Sequence, residues 1–94
     1  MTVGLVAIHY PHAQFHDEFR GRVQLAADLM RDRPGCKTAD CWVTAAGDAI
    51  VSVGYWVSEE AQVAGFAFAT ANGVDFSYDE RELSPRVILR LVTG

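Results

Sequence analysis

Residues 49–61 read AIVSVGYWVSEEA and contain the passage from a strand into a helix. Residues 49–57 are apolar at both parities of a strand, which is typical of a strand buried on both faces. Ser58 is well placed as an N-cap, and Glu59 and Glu60 follow where the helix dipole favours acidic side chains. The stretch therefore predicts a strand that ends in a capped helix, which runs to about Ala69.

The segments before this passage add one strand and one helix. Residues 3–10 form a short apolar run that Pro11 ends, which predicts a first strand. Residues 13–31 repeat apolar side chains at three- and four-residue steps, which predicts an amphipathic helix. Pro34 and Gly35 stop it, since proline cannot continue a helix and glycine permits the turn.

Residues 36–45 predict a second strand, and the Trp42-Val43 pair indicates a bulge in it. The turn residues 46–48 connect this strand to the one at 49–57, so the two form a hairpin.

Residues 70–85 are polar and predict a long loop, and residues 87–92 predict a closing strand. The order is β-α-β-β-α-β, the split-βαβ ferredoxin-like arrangement of the α+β class. We expect one domain over residues 1–94, with two helices on one face of a four-stranded antiparallel sheet.

The predicted sheet has an open face, and that face is apolar because three of the strands carry apolar residues at both parities. The chain has only 94 residues, half of them apolar, and its two cysteines do not make a disulfide scaffold. A small, hydrophobic chain without a covalent or metal staple needs additional buried surface. We therefore expect a homodimer formed through the open sheet face, by a two-fold contact.

The charge pattern excludes some partners. The net charge is -4 and the basic residues are scattered, which argues against nucleic acid and against an anionic membrane surface. The longest apolar stretches have strand length, and the first residues lack the pattern of a signal peptide. We expect a cytoplasmic protein that contacts neither nucleic acid nor membrane.

Two short motifs resemble a known family. Residues 33–36 read RPGC and residues 56–61 read WVSEEA, and a predicted hairpin separates them. In this order they resemble the antibiotic biosynthesis monooxygenase (ABM) superfamily, whose members are dimeric α/β barrels. The resemblance implies this dimeric fold. Some members oxidise phenols or quinols with molecular oxygen and without a cofactor, while others degrade haem.

Two departures from family patterns narrow these implications. Haem-degrading relatives use a histidine in or after the second helix, whereas no histidine follows His16 here, so we expect no haem and no other cofactor. Cofactor-free oxygenases of the family have an asparagine four residues before the tryptophan that ends strand three. That tryptophan is matched by Trp56, but Ser52 occupies the asparagine position.

A cavity between the sheet and the helices is the expected site. We predict His9 as a general base, Ser52 as a hydrogen-bonding group and Trp56 as a wall of the pocket. Aromatic side chains predicted to contact the substrate are Phe19, Tyr55, Phe66, Phe68 and Tyr78. The alternatives are a partly exposed His9, a purely structural Trp56, and a helix whose small residues lie too close to the sheet to leave room for a ligand.

The histidines and cysteines do not indicate a metal site. His9, His12 and His16 span a strand end, a turn and a helix start, so nothing places them on one side. Cys36 and Cys41 are five residues apart on one strand, which predicts opposite faces and a separation of roughly 16 Å.

Three functions remain open from the sequence. The first is a cofactor-independent monooxygenase acting on a small or polycyclic phenol or quinol, which needs a pocket of at least several hundred Å³. The second is a non-catalytic dimeric module that binds a small hydrophobic ligand or a partner chain, which predicts a closed or purely apolar cavity. An isomerase or cyclase on the same scaffold would need only an acid–base pair.

Overall fold

A computed structural model describes residues 1–93, so Gly94, the last residue of the predicted domain, lies outside the described residues. The elements follow the predicted order. They are β1 (Val3–His9), a 3₁₀ turn (Ala13–Phe15), α1 (His16–Arg31), β2 (Cys36–Val43), β3 (Ile50–Trp56), α2 (Glu59–Ala71) and β4 (Val87–Val92).

The four strands form one antiparallel sheet in the order β2-β3-β1-β4. Both helices pack against one face of it, which we call the helix face. The predicted α+β, ferredoxin-like fold is confirmed. The edge strand β4 pairs with the central strand β1.

Strand alternation decides which side chains reach the helix face. On β3 these are Ile50, Ser52, Gly54 and Trp56, and the register places His9 opposite Ile50. The core lies between this face and the helices. Its largest fully buried side chains are Trp56, Phe19 and Ile50.

The opposite face of the sheet, which we call the open face, is apolar as predicted. Its central strands present half-buried branched side chains, and the flanking positions are exposed. Its apolar members are Val6, Ile8, Trp42, Val51, Val53, Tyr55, Val87, Leu89 and Leu91. No helix of the described chain covers these residues.

Two local predictions are confirmed in detail. The Ser58 hydroxyl accepts a hydrogen bond from the Ala61 amide at 3.1 Å, which caps α2. In the β2–β3 hairpin, the Thr44 carbonyl accepts from the Gly47 amide at 2.8 Å. Gly47 has a φ of 77°, a conformation that glycine adopts without strain.

The predicted bulge is misplaced, and this changes the cysteines. The register of β2 shifts between Cys36 and Thr38 rather than at Trp42-Val43, so Lys37 is the extra residue. The shift reverses the parity between Cys36 and Cys41, and both pack against the core on the helix face. The prediction that they lie on opposite faces is therefore wrong. Both thiols are free, and burial raises the pKa of each.

The first helix also differs at its start, because the predicted single helix over 13–31 begins as a separate 3₁₀ turn. Within residues 1–93, neither α-helix is long and apolar enough to cross a bilayer.

Candidate functional site

A cavity of about 390 Å³ lies between the helix face of the sheet, the two helices and the loop that leads to β4. This volume agrees with the several hundred Å³ predicted for a substrate pocket. Most of its wall is apolar. The larger apolar residues are Leu5, Val23, Met30, Val63, Phe66, Val74, Phe76 and Ile88.

His9 lies in the wall of this cavity and is only 8% exposed. Its Nδ1 is 3.4 Å from Oε1 of Glu82, whose side chain is fully buried. The carboxylate favours the tautomer that carries its proton on Nδ1. Nε2 then carries no proton and can accept one. Some side-chain atoms of the protein are fully buried without a hydrogen-bond partner, and Nε2 of His9 is not one of them.

Glu82 reaches His9 because the loop before β4 is attached to the end of β1. Pro11 and Glu82 form an isolated β-bridge, and the Leu83 amide donates to the Tyr10 carbonyl at 2.7 Å. Arg86 holds the second oxygen of the carboxylate, with Nη2 2.5 Å from Oε2. The result is a buried series of three side chains, His9, Glu82 and Arg86.

The environment keeps His9 neutral near pH 7. Burial is the largest cause that lowers its pKa from the usual 6.5, and the positive charge of Arg86 acts in the same direction. The Glu82 carboxylate opposes both effects without overcoming them. A neutral imidazole with a carboxylate behind it is suited to accept a proton at Nε2.

Three of the predicted site residues line the cavity. Ser52 faces it from β3, opposite Ala7, and Phe66 faces it from α2. Together with His9 they place one base, one hydroxyl and one aromatic ring around a single space. The Phe66 ring packs on Phe76 at a centroid distance of 5.3 Å, so Phe76 extends the aromatic wall.

Two predicted site residues belong to the core instead. Trp56 is 1% exposed and packs against Gly65 of α2, so it supports the sheet–helix contact and does not line the cavity. Phe19 is fully buried behind His9, with the two ring centroids 6.1 Å apart. It packs against the base rather than contacting the cavity.

The other three lie elsewhere. Tyr55 is on the open face, because strand alternation turns it away from its neighbour Trp56. Phe68 is stacked under the Arg33 guanidinium, 4.0 Å from the ring centroid. Tyr78 is exposed on the loop, and none of the three lines the cavity.

Within residues 1–93, no group of three or more His, Cys, Asp or Glu side chains is close enough to hold a metal ion. His12 is exposed in the turn after β1, apart from the buried His9.

The charged part of the site was not predicted from the sequence. Glu82 lies in the segment predicted as a polar loop, Arg86 lies between that loop and the predicted last strand, and His9 is 73 residues from Glu82. Arg22 lies in the amphipathic first helix and lines the cavity, although no role was predicted for it from the sequence. Arg90 carried a usable signal, since it is a single charge inside the apolar strand β4.

Comparison with known proteins gives structural neighbours. No protein-family model matches the sequence, and no curated protein matches it. Among solved structures, a Mycobacterium tuberculosis protein superposes with a TM-score of 0.80 at 18% identity, covering 100% of this chain and 96% of that one. A protein named antibiotic biosynthesis monooxygenase gives 0.74 at 11% identity, covering 98% of each chain.

SnoaB from Streptomyces nogalater, named a cofactor-independent oxygenase, gives a TM-score of 0.70 at 15% identity, covering 98% of this chain and 92% of its own. The fold is that of the antibiotic biosynthesis monooxygenases.

Within this ABM fold, the present chain has a defined chemical capability. The cavity can hold an apolar ring and remove a proton from it at Nε2 of His9. The arginines in the wall can stabilise the anion that results. Such a site suits reactions that begin by deprotonating an aromatic or enolisable substrate.

Proposed function

We propose that the protein is a cofactor-independent monooxygenase that oxidises a small phenol or quinol with molecular oxygen. The observation that carries this proposal is the buried, neutral His9, backed by Glu82 and facing a largely apolar cavity. The fold supports it, because the structural neighbours include one protein named antibiotic biosynthesis monooxygenase and another named a cofactor-independent oxygenase.

In the proposed reaction, the phenolic proton passes to Nε2 of His9 and leaves a phenolate in the cavity. Deprotonation makes the ring electron-rich enough to reduce dioxygen, and the apolar wall limits access of water. One oxygen atom replaces two hydrogens of the substrate, and the other leaves as water. Phenol and dioxygen thus give quinone and water, so the substrate supplies all the electrons.

Oxygen uptake with a panel of one- to three-ring phenols and quinols tests this proposal. We expect uptake above the buffer rate, unchanged after dialysis against a chelator. His9→Asn should lower it roughly 100-fold or more, the usual contribution of a general base. His12→Asn, which replaces the exposed histidine, is the matched control and should retain full activity.

The pH dependence gives a second reading of the same experiment. The base acts only when neutral, and its pKa is below 6.5, so the rate should be flat near pH 7 and fall as the pH drops through the lowered pKa. An uptake rate that matches the buffer with every phenol and quinol would contradict the proposal. A rate unaffected by His9→Asn would remove His9 from it.

An acid–base isomerase or cyclase is the second candidate, because the His9–Glu82 pair can move a proton without oxygen. It predicts substrate turnover under anaerobic conditions. A purely apolar binding module fits less well, since ionisable side chains converge on the cavity.

We also propose that the active form is a homodimer joined through the open face. Exposed apolar side chains occupy that face on three strands, whereas the cavity lies on the other side of the sheet. The molecule measures 37 × 31 × 19 Å, so a broad face can supply the roughly 800 Å² per partner of a stable interface.

A further inference from the structure

The cavity is positively charged inside an acidic protein. Of the eight Lys and Arg residues in the chain, Arg22, Arg86 and Arg90 line it, and Asp75 is the acidic residue in its wall. The buried Glu82 behind the wall pairs with Arg86, so the three arginines exceed the two nearby carboxylates by one charge. The whole chain has a net charge of -4. A cleft with low-dielectric walls concentrates the field of such a cluster, so the site attracts anions although the protein as a whole repels them.

Two of these arginines have N–H groups that are available to donate hydrogen bonds. Arg90 projects from β4 on the helix face, opposite Leu5, and makes no ion pair or side-chain hydrogen bond within residues 1–93. Arg22 lies over the Phe19 ring at 4.1 Å, and its nearest carboxylate oxygen, on Asp75, is 4.0 Å away. That distance is too long for a hydrogen bond.

Two buried donors at the cavity also lack acceptors. Gln62 is 5% exposed, and its Nε2 has no partner. Arg86 donates through Nη1 to the Phe76 carbonyl and through Nη2 to Glu82, but its Nε has no partner. Both residues line the cavity. A buried donor without an acceptor is destabilising, so both groups favour a ligand that supplies acceptor oxygens. Because both nitrogen atoms are buried, a ligand oxygen reaches them only when the two side chains turn toward the cavity.

We propose that the substrate of this cavity is an aromatic carboxylate, with its ring against Phe66 and Phe76 and its carboxylate among the arginines. A carboxylate supplies the acceptor oxygens, and guanidinium groups bind it in a matching planar geometry. Asp75 in the same wall disfavours a dianionic phosphate. The inference rests on the proposed function, since it names the substrate class of the same cavity.

Binding of 2-naphthoate and of its methyl ester, measured by calorimetry at low ionic strength, tests the inference. The two probes differ in one charge and contain no phenol, so neither can be oxidised. We expect the acid to bind at least about tenfold more tightly, as hydrogen bonds to charged groups predict. Equal affinity for acid and ester would overturn the inference.

Charge-removing variants locate the anion site. Arg90→Gln and Arg22→Gln should each weaken the acid about fivefold to tenfold and leave the ester unchanged, because only the acid uses the cation. Arg20→Gln is the matched control, since it makes the same change on an exposed part of α1 outside the cavity. A loss in Arg20→Gln equal to that in both other variants would indicate a general charge effect and contradict the site.

The binding result and the oxygenase result are independent. Selective binding of 2-naphthoate without oxygen uptake would keep the anion site and reject the oxygenase. Uptake with quinols and equal binding of acid and ester would do the reverse. Circular dichroism of each variant checks that the fold is intact, and Arg86 is left unchanged because it holds Glu82 and the loop.

Discussion

At Gly65, the backbone of α2 packs directly against the indole of Trp56. A Cβ at this position would be 2.1 Å from Cη2 of Trp56, and the indole is fully buried, so it has no space in which to retreat. The small residues of α2 therefore allow the close contact with Trp56. This agrees with the alternative prediction that Trp56 has a purely structural role. The cavity lies beside this contact, and Gln62 and Phe66 line it.

Gly65→Ala should destabilise the protein by about 1–3 kcal/mol, because overpacking a buried ring exceeds the gain in helix propensity. Gly21→Ala is the matched control. Gly21 is exposed on α1, and a Cβ there would meet no atom within 4 Å, so this change should stabilise the protein by roughly 0.5–1 kcal/mol. Urea unfolding of both variants measures the difference. The same sign of change for the two glycines would contradict this account of the packing.

The stability of the helix α2 depends strongly on its first turn. Its exposed side carries alanines and few charges, so little besides packing against the sheet and the cap holds it. The Ser58 hydroxyl accepts from the Ala61 amide, and Glu59 and Glu60 lie where the helix dipole favours negative charge.

Ser58→Ala should therefore cost about 1 kcal/mol of stability, the usual value of a serine N-cap. Ser84→Ala is the control, because Ser84 is exposed in the loop before β4. Chemical denaturation, with helix content followed at 222 nm, compares the two. An unchanged midpoint in Ser58→Ala would show that tertiary packing alone defines the start of α2.

The elements were predictable because their signals are local. Periodicity, Pro11, Pro34 and the Ser58 cap act over a few residues, and strand and helix order followed from them. The site was only partly predictable, because His9 meets Glu82 across 73 positions and no local pattern encodes that contact. The prediction that Tyr55 contacts the substrate could have been avoided. Side chains alternate between the two faces of a strand, which places Tyr55 and Ser52 on opposite faces.

At the scale of the whole molecule, the two faces of the sheet have different roles. The helix face carries the core, the cavity and the charged groups, while the open face carries apolar side chains without charged neighbours on its central strands. One row of paired residues across the four strands contains Asp40, Val53, Val6 and Leu89. Only Asp40, on the edge strand β2, is charged. A face of this composition on a 10.3-kDa chain is the property expected of an interface between copies.

A charge placed on the open face should therefore break the proposed dimer. Leu89 is 48% exposed on that face, so Leu89→Glu leaves the fold of the single chain intact but buries a carboxylate in the interface. Leu25→Glu makes the same change at 47% exposure on α1, on the helix layer. In sedimentation equilibrium we expect twice the chain mass for the wild type and Leu25→Glu, and the single-chain mass for Leu89→Glu. A wild-type protein that sediments as one chain at high concentration would refute the dimer, whereas a dimeric Leu89→Glu would move the interface to another surface.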